Sequence, residues 1–172
     1  MILTSVPPQV FFTNSSNLEL RGRPSIKTIP LSNKPAHVLW TSTYRPEAHH
    51  ICAWQAWCEI NLFPYGRNSF LITPRKNPSL KVFRPTDIEE LHLLPHQEEF
   101  LSPDLRESIF PLIDYNWYAQ QGYDGFHIEA QDTILGEFWE NGKIRLSPFR
   151  SWDCESTCWF HYDWIQLVEK TH

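Results

Sequence analysis

Two carboxylates stand two positions apart, Asp153 and Glu155, in the run Ser151-Trp152-Asp153-Cys154-Glu155-Ser156-Thr157-Cys158-Trp159-Phe160. Read as a strand, the run puts Trp152, Cys154, Ser156 and Cys158 on one face and Asp153, Glu155, Thr157 and Trp159 on the other. Flanking aromatics point to a position well inside the fold, yet acids are rarely buried without a partner. Two readings follow. One is a half-exposed edge strand with an ordinary wet face. The other is a core strand presenting Glu155 into a ligand cleft, where a carboxylate can stabilise developing positive charge.

The remaining residues with chemical potential are the thiols and imidazoles. Cys52 and Cys58 have five residues between them, and Cys154 and Cys158 have three. These spacings fit neither a zinc ribbon nor a thioredoxin motif. In a strand, Cys154 and Cys158 would lie about 13 Å apart, too far for a disulfide or a shared metal without a bend. Buried free thiols are the expectation, and with them a reducing compartment such as the cytoplasm. His49 and His50 are adjacent, so on a helix they point in different directions and read as a solvated helix start.

With 172 residues the chain is sized for one domain. Eight Trp and eleven Phe supply a core, and 14 Pro against 6 Gly call for many fixed turns and short elements. Net charge is −5 with no basic run, which argues against nonspecific nucleic-acid binding, though not against a local basic cleft. No apolar run approaches the roughly 20 residues of a membrane span, and the first residues lack the basic and apolar regions of a signal peptide.

The elements that must position these residues alternate between short strands and short helices. Met1 to Ser16 reads as an extended lead-in with Val10-Phe11-Phe12 as a short strand. Leu18 and Leu20 suggest a strand over Asn17 to Pro24, stopped by Gly22 and Pro24, with a loop over Ser25 to Ala36. His37 to Tyr44 is the clearest strand. Pro46 opens a helix expected over Glu47 to Ile60, with Ile51, Trp54, Trp57 and Cys58 on its apolar stripe. Ser69 to Thr73 and Leu80 to Phe83 read as a strand pair. Thr86-Asp87-Ile88-Glu89 has the form of a helix cap. Leu105 to Gln121 reads as helix and Tyr123 to Ile128 as strand. Ile134 to Arg145 reads as a hairpin turning at Asn141-Gly142. Tyr162 to Val168 is a closing strand or tail. The pattern predicts an α+β fold with a mixed or antiparallel sheet and helices packed on it.

Three pieces taken in order resemble the ADP-ribosyltransferase superfamily, the Arg–Ser–Glu class with bacterial and phage-borne members. Leu20-Arg21-Gly22 is similar to the Arg-Gly ending that family's first core strand. Trp40-Thr41-Ser42-Thr43, followed by the Ala- and aromatic-rich stretch Ala48 to Trp57, is similar to its Ser-Thr-Ser strand and the helix after it. Gly122-Tyr123-Asp124-Gly125 precedes the late strand bearing Glu155, the position of the catalytic acid. The sequence departs from the pattern in carrying Asp153 where the family has Glu or Gln, and Thr-Ser-Thr instead of Ser-Thr-Ser. Arg23 competes with Arg21 for the first role.

The resemblance implies a single domain with a split sheet and flanking helices. It implies NAD as substrate, with ADP-ribose passed to a macromolecular, most naturally protein, acceptor. Glu155, Arg21 and Ser42 would be the catalytic set. Arg21 would anchor phosphate or ribose by its fork geometry. Gly22, Thr41, Ser42, Thr43, Tyr44 and Phe70 would line the NAD site, with Tyr44, Tyr65 and Phe70 as rings to stack on nicotinamide. Asp153 would orient the acceptor. Breaking the nicotinamide–ribose bond passes through an oxocarbenium-like state that Glu155 would stabilise while gripping a ribose hydroxyl. Water as acceptor would make the same site an NAD glycohydrolase. A non-catalytic binding module and a small zinc-stapled domain are the competing readings.

Overall fold

The computed structural model describes residues 1–22, 24–29, 33–46, 49–76, 80–85, 94–97, 112–129, 137–140 and 142–171. An eight-stranded mixed sheet organises them. Its strands, in chain order, are β1 (Ile2–Leu3), β2 (Gln9–Thr13), β5 (Leu39–Thr43), β6 (Asn68–Pro74), β7 (Val82–Phe83), β8 (Gly125–Ile128), β11 (Ser156–Trp159) and β12 (Ile165–Lys170). Across the sheet they run β1-β7-β8-β11-β5-β2-β6-β12. Every neighbouring pair is antiparallel except β7–β8. Two ribbons stand apart: β3 (Lys27–Ile29) with β4 (Lys34–Ala36), and β9 (Glu137–Glu140) with β10 (Lys143–Leu146). The helices are α1 (Ala53–Ile60) and α2 (Tyr115–Gln120).

Strand alternation divides the sheet into two faces, each with its own core. One face gathers Phe126, Ile128, Phe149, Trp152 and Cys158 with Tyr115 and Tyr118 of α2. These rings and Phe83 meet at centroid distances of 4.8–6.4 Å, as between Phe83 and Tyr118 or Tyr115 and Trp152. The opposite face gathers Leu39, Ile72, Val82 and Trp159, closed by Trp164 stacked on Trp159 at 3.7 Å and by Leu18 and Leu20. Burying both faces calls on these aromatic residues: among the described residues a wide sheet is covered by two short helices, and large side chains exclude water.

The strands at Val10–Phe12, Leu39–Thr43 and Gly125–Ile128 stand where periodicity places them, as does the β9–β10 hairpin, whose Gly142 has φ +75°. Other expectations change. Leu18 to Leu20 form no strand; they lie over the second core as irregular chain. The expected loop over Ser25 to Ala36 holds the β3–β4 ribbon. The strands at Ser69–Thr73 and Leu80–Phe83 exist but do not pair, because β6 is flanked by β2 and β12, and β7 by β1 and β8. Helix α1 begins at Ala53, where Gln55 reaches back to accept from the Ile51 N–H at 3.0 Å. Asp114 caps α2 by accepting from the Trp117 N–H at 3.1 Å. Arg23, Glu47, Ala48, the Thr86–Glu89 cap, Leu105 to Pro111, Ile134 and Asn141 lie outside the described residues.

Among the described residues no helix is long and apolar enough to cross a membrane. All four cysteines are buried and free.

Candidate active site

The late strand is shorter than its alternation suggests. Its pairing with β5 begins at Thr157↔Thr41, one step after Glu155. The break makes the site. At the next step of the ladder the Thr43 N–H donates to the Glu155 carboxylate, 3.0 Å from Oε2, and the Thr43 hydroxyl donates to Oε1 at 2.8 Å. The Glu155 carbonyl accepts instead from the Ser42 hydroxyl at 2.9 Å. A carboxylate thus replaces a carbonyl in the sheet, and Glu155 is only 2 % exposed.

Around this acid the second face carries a run of buried and half-buried polar side chains. Gln9, Thr41, Thr43, Thr157 and His127 share that face, because Gln9 pairs with Thr43, and Thr157 with both Thr41 and His127. The Trp159 indole donates to Thr41 Oγ1 at 2.8 Å, and Thr41 donates to Gln9 Oε1 at 2.8 Å. Gln9 in turn donates to the Pro7 carbonyl and to Thr43 Oγ1. On the other flank His127 Nδ1 lies 2.8 Å from Thr157 Oγ1 and 3.7 Å from Glu155 Oε1, while its Nε2 is 3.7 Å from Glu129 Oε1. Arg84 clamps Glu129 at 2.9 Å. The Glu155 and Glu129 carboxylates therefore flank one buried imidazole.

Burial pushes the Glu155 carboxyl above the usual carboxylate range, and the nearby Glu129 charge adds to this. The two Thr43 bonds and the positive charge of Arg45 pull the other way without cancelling it. Burial likewise raises the Cys52 thiol to about 11 and the Cys154 thiol to about 12, so both stay protonated.

The structure brings Thr41, Thr43 and Glu155 together and separates others. Arg21 is not among the groups that meet the acid: its side chain is 85 % exposed and lies 3.7 Å from Glu19. The guanidinium whose charge acts on Glu155 is that of Arg45. Gly22 is a left-handed turn residue with φ +73° and open space around it. The Ser42 hydroxyl reaches only the main-chain carbonyl of Glu155, not its carboxylate, and it shares the first face with Val10 and Trp40. Asp153 parts from Glu155 because its φ of +22° breaks the extended alternation, and it pairs instead with Lys34 at 2.9 Å. Phe70 is buried in the sheet, and its strand partner is Phe11. Tyr44 is half-buried and its N–H donates to the Pro8 carbonyl. Tyr65 donates to Glu59 and meets Phe12 edge-on. Asp124 does more than make a turn: it accepts from the Lys81 N–H and pairs with His161 at 2.6 Å.

The sequence reading missed Gln9, Arg45, Arg84, His127 and Glu129. His127 had one available signal, an imidazole at the centre of an otherwise apolar strand two residues after Asp124-Gly125. Among the described residues no group of three His, Cys, Asp or Glu is placed to hold a metal; His50 instead pairs with Glu59 at 2.9 Å. Compared with known proteins, the chain matches no family model, no curated protein and no solved structure.

Proposed function

We propose that this chain is an NAD-consuming ADP-ribosyltransferase that cleaves the nicotinamide–ribose bond and passes ADP-ribose to a protein acceptor. The observation that carries the reading is the union of the hydroxyl strand with the late acid. Thr43 of Thr41-Ser42-Thr43 donates twice to a nearly inaccessible Glu155. A carboxylate fixed by two donors cannot swing away, so its charge is preorganised for the oxocarbenium-like state of glycosidic cleavage. Arg45 takes the part first read into Arg21, since its positive charge acts on the acid and a guanidinium suits a diphosphate in fork geometry. The His127 imidazole lies 3.7 Å from the same carboxylate, with its Nδ1 2.8 Å from the Thr157 hydroxyl. Four buried free thiols fit a reducing compartment such as the cytoplasm.

One observation favours water as a second acceptor. Asp153, the residue the resemblance assigns to orienting an acceptor, is turned to Lys34. An NAD glycohydrolase needs no such group. Incubating the protein with NAD labelled on adenine, with and without a cell lysate, separates the two. Label entering protein supports transfer, and free ADP-ribose alone supports hydrolysis. If NAD stays intact in both arms, the catalytic reading fails and a binding module remains.

A further inference from the structure

On the sheet face opposite the Glu155 carboxylate lies a half-open cavity of about 300 Å³. Its walls include the indoles of Trp40 and Trp54, the hydroxyls of Ser42 and Ser156, and the Lys34–Asp153 ion pair. We propose that this cavity binds a flat, neutral heteroaromatic ring with N–H donors on its edge, the chemistry of a purine nucleoside.

Volume and lining agree with a small-molecule site, where apolar walls carry a few convergent polar groups. Trp40 is braced edge-on by Trp152 at 4.6 Å, and Trp54 is stacked on Trp57 at 5.4 Å, so both walls are held firmly against a ligand ring. The polar groups are biased toward accepting. Ser42 donates to the Glu155 carbonyl at 2.9 Å and Ser156 to the Cys154 carbonyl at 3.1 Å. With these protons directed at main-chain carbonyls, the two oxygens offer a ligand lone pairs, one of which Ser156 shares with Cys154 Sγ at 3.7 Å. The Asp153 carboxylate adds a further acceptor. The charges on the wall already satisfy each other, with Lys34 Nζ 2.9 Å from Asp153 and 6.0 Å from the Trp40 ring centroid. A charged ligand would have to disrupt that pair, whereas a neutral ring would not. Asp153 also holds φ +22°, a strained conformation for a side-chain-bearing residue and one that accumulates at ligand clamps. The chain's net charge of −5 selects a free nucleoside over a base within a polyanion.

The inference does not depend on NAD chemistry, and its test reads binding alone. Isothermal calorimetry with adenosine should show saturable binding. N6,N6-dimethyladenosine keeps the ring but lacks the exocyclic N–H, so it should bind at least about tenfold more weakly. Trp54→Ala, at a partly exposed position, should weaken adenosine by about tenfold or more through lost stacking. Absence of saturable adenosine binding at millimolar concentration overturns the proposal. So does equal affinity for the two nucleosides, a comparison made on the unaltered chain and independent of how the variant folds. Unchanged adenosine affinity in a folded Trp54→Ala protein overturns it as well. Absence of NAD turnover would strike the catalytic reading and leave these measurements standing.

Discussion

Replacing Glu155 by Gln should stabilise the protein at neutral pH while removing the proposed NAD cleavage. The carboxylate accepts two bonds from Thr43, and hydrogen bonds to a charged group contribute about 1.5–3 kcal/mol each. Against them stands the cost of taking a charge out of water, several kcal/mol per buried ion. The carboxyl lies above its ordinary range, so burial outweighs Thr43 and Arg45 together. A folded-state value raised above the unfolded one means that the native state holds its proton more tightly. Stability from this group is therefore present at low pH and is lost as pH rises through the raised value. Gln keeps the shape and both Thr43 contacts, since the threonine hydroxyl can accept where it formerly donated. It also carries no charge to desolvate. Each kcal/mol gained in this way raises the melting temperature by about 2–4 °C in a chain of this size. Calorimetric scans should show Glu155→Gln melting above wild type at pH 7.5, with the gap closing as pH falls through the carboxyl range. NAD cleavage should fall by about 150-fold or more, corresponding to about 3 kcal/mol of lost transition-state stabilisation. A variant that melts lower than wild type at pH 7.5, with an unchanged pH profile, would show that Glu155 is a stabilising structural ion and refute the reasoning.

Thr43→Val removes the hydroxyl that donates to Glu155 Oε1 and keeps the branched shape, so it should cost about 1–3 kcal/mol, read as a lower denaturation midpoint at an unchanged slope. Arg45→Ala should raise KM for NAD and lift the apparent acid limb of the rate profile, because its positive charge lowers the Glu155 carboxyl; Arg21→Ala, at an exposed side chain, should leave both within error. Thiols near 11 and 12 are ionised to only about one part in a thousand and one in ten thousand at pH 8, so Cys52 and Cys154 should resist iodoacetamide in the folded protein and react once it is denatured, as intact mass will register.

Where side-chain type and local period agree, the sequence was readable. Trp40-Thr41-Ser42-Thr43 combines aromatic and β-branched residues, and it forms the strand its composition demands. The alternation of Ser151 to Phe160 put Glu155 on the same face as Thr157 and Trp159, and the carboxylate is found there even though regular pairing starts only at Ser156. Two of the failures share one cause. Which strands become neighbours is decided by contacts between residues far apart in the chain, and no local pattern encodes them. Leu80 to Phe83 looked like the partner of Ser69 to Thr73 because the two are close in sequence, yet β8 and β1 capture the former, and β2 and β12 the latter. Arg21 stands out in the sequence through the resemblance of Leu20-Arg21-Gly22 to a family motif. Arg45, two residues beyond the hydroxyl strand, is the guanidinium whose charge reaches the acid, and only pairing of β5 with β11 reveals it. The positive φ of Asp153 escaped for a different reason: a backbone reversal inside an alternating run leaves the residue pattern intact while turning the side chain away.

The polar run on the second face is hard to explain by stability alone. Gln9 and Thr41 are at most 4 % exposed, and they sit on the same face as the Ile72–Trp159 core. Valine or leucine would fill that space without needing partners, and satisfied polar clusters in protein interiors are often replaceable by apolar groups at no loss. The arrangement does make sense if Thr43 must be held. Gln9 takes the Thr41 proton on its carbonyl oxygen and points its amide toward Thr43 Oγ1, which leaves the Thr43 proton directed at Glu155. The chain of donors running from the Trp159 indole through Thr41, Gln9 and Thr43 thus ends on an acid that burial has made reluctant to ionise. Its direction follows from the donor at its head, since an indole N–H can only donate. Each later member is thereby oriented, and the carboxylate receives a hydroxyl proton fixed from four residues away in the network.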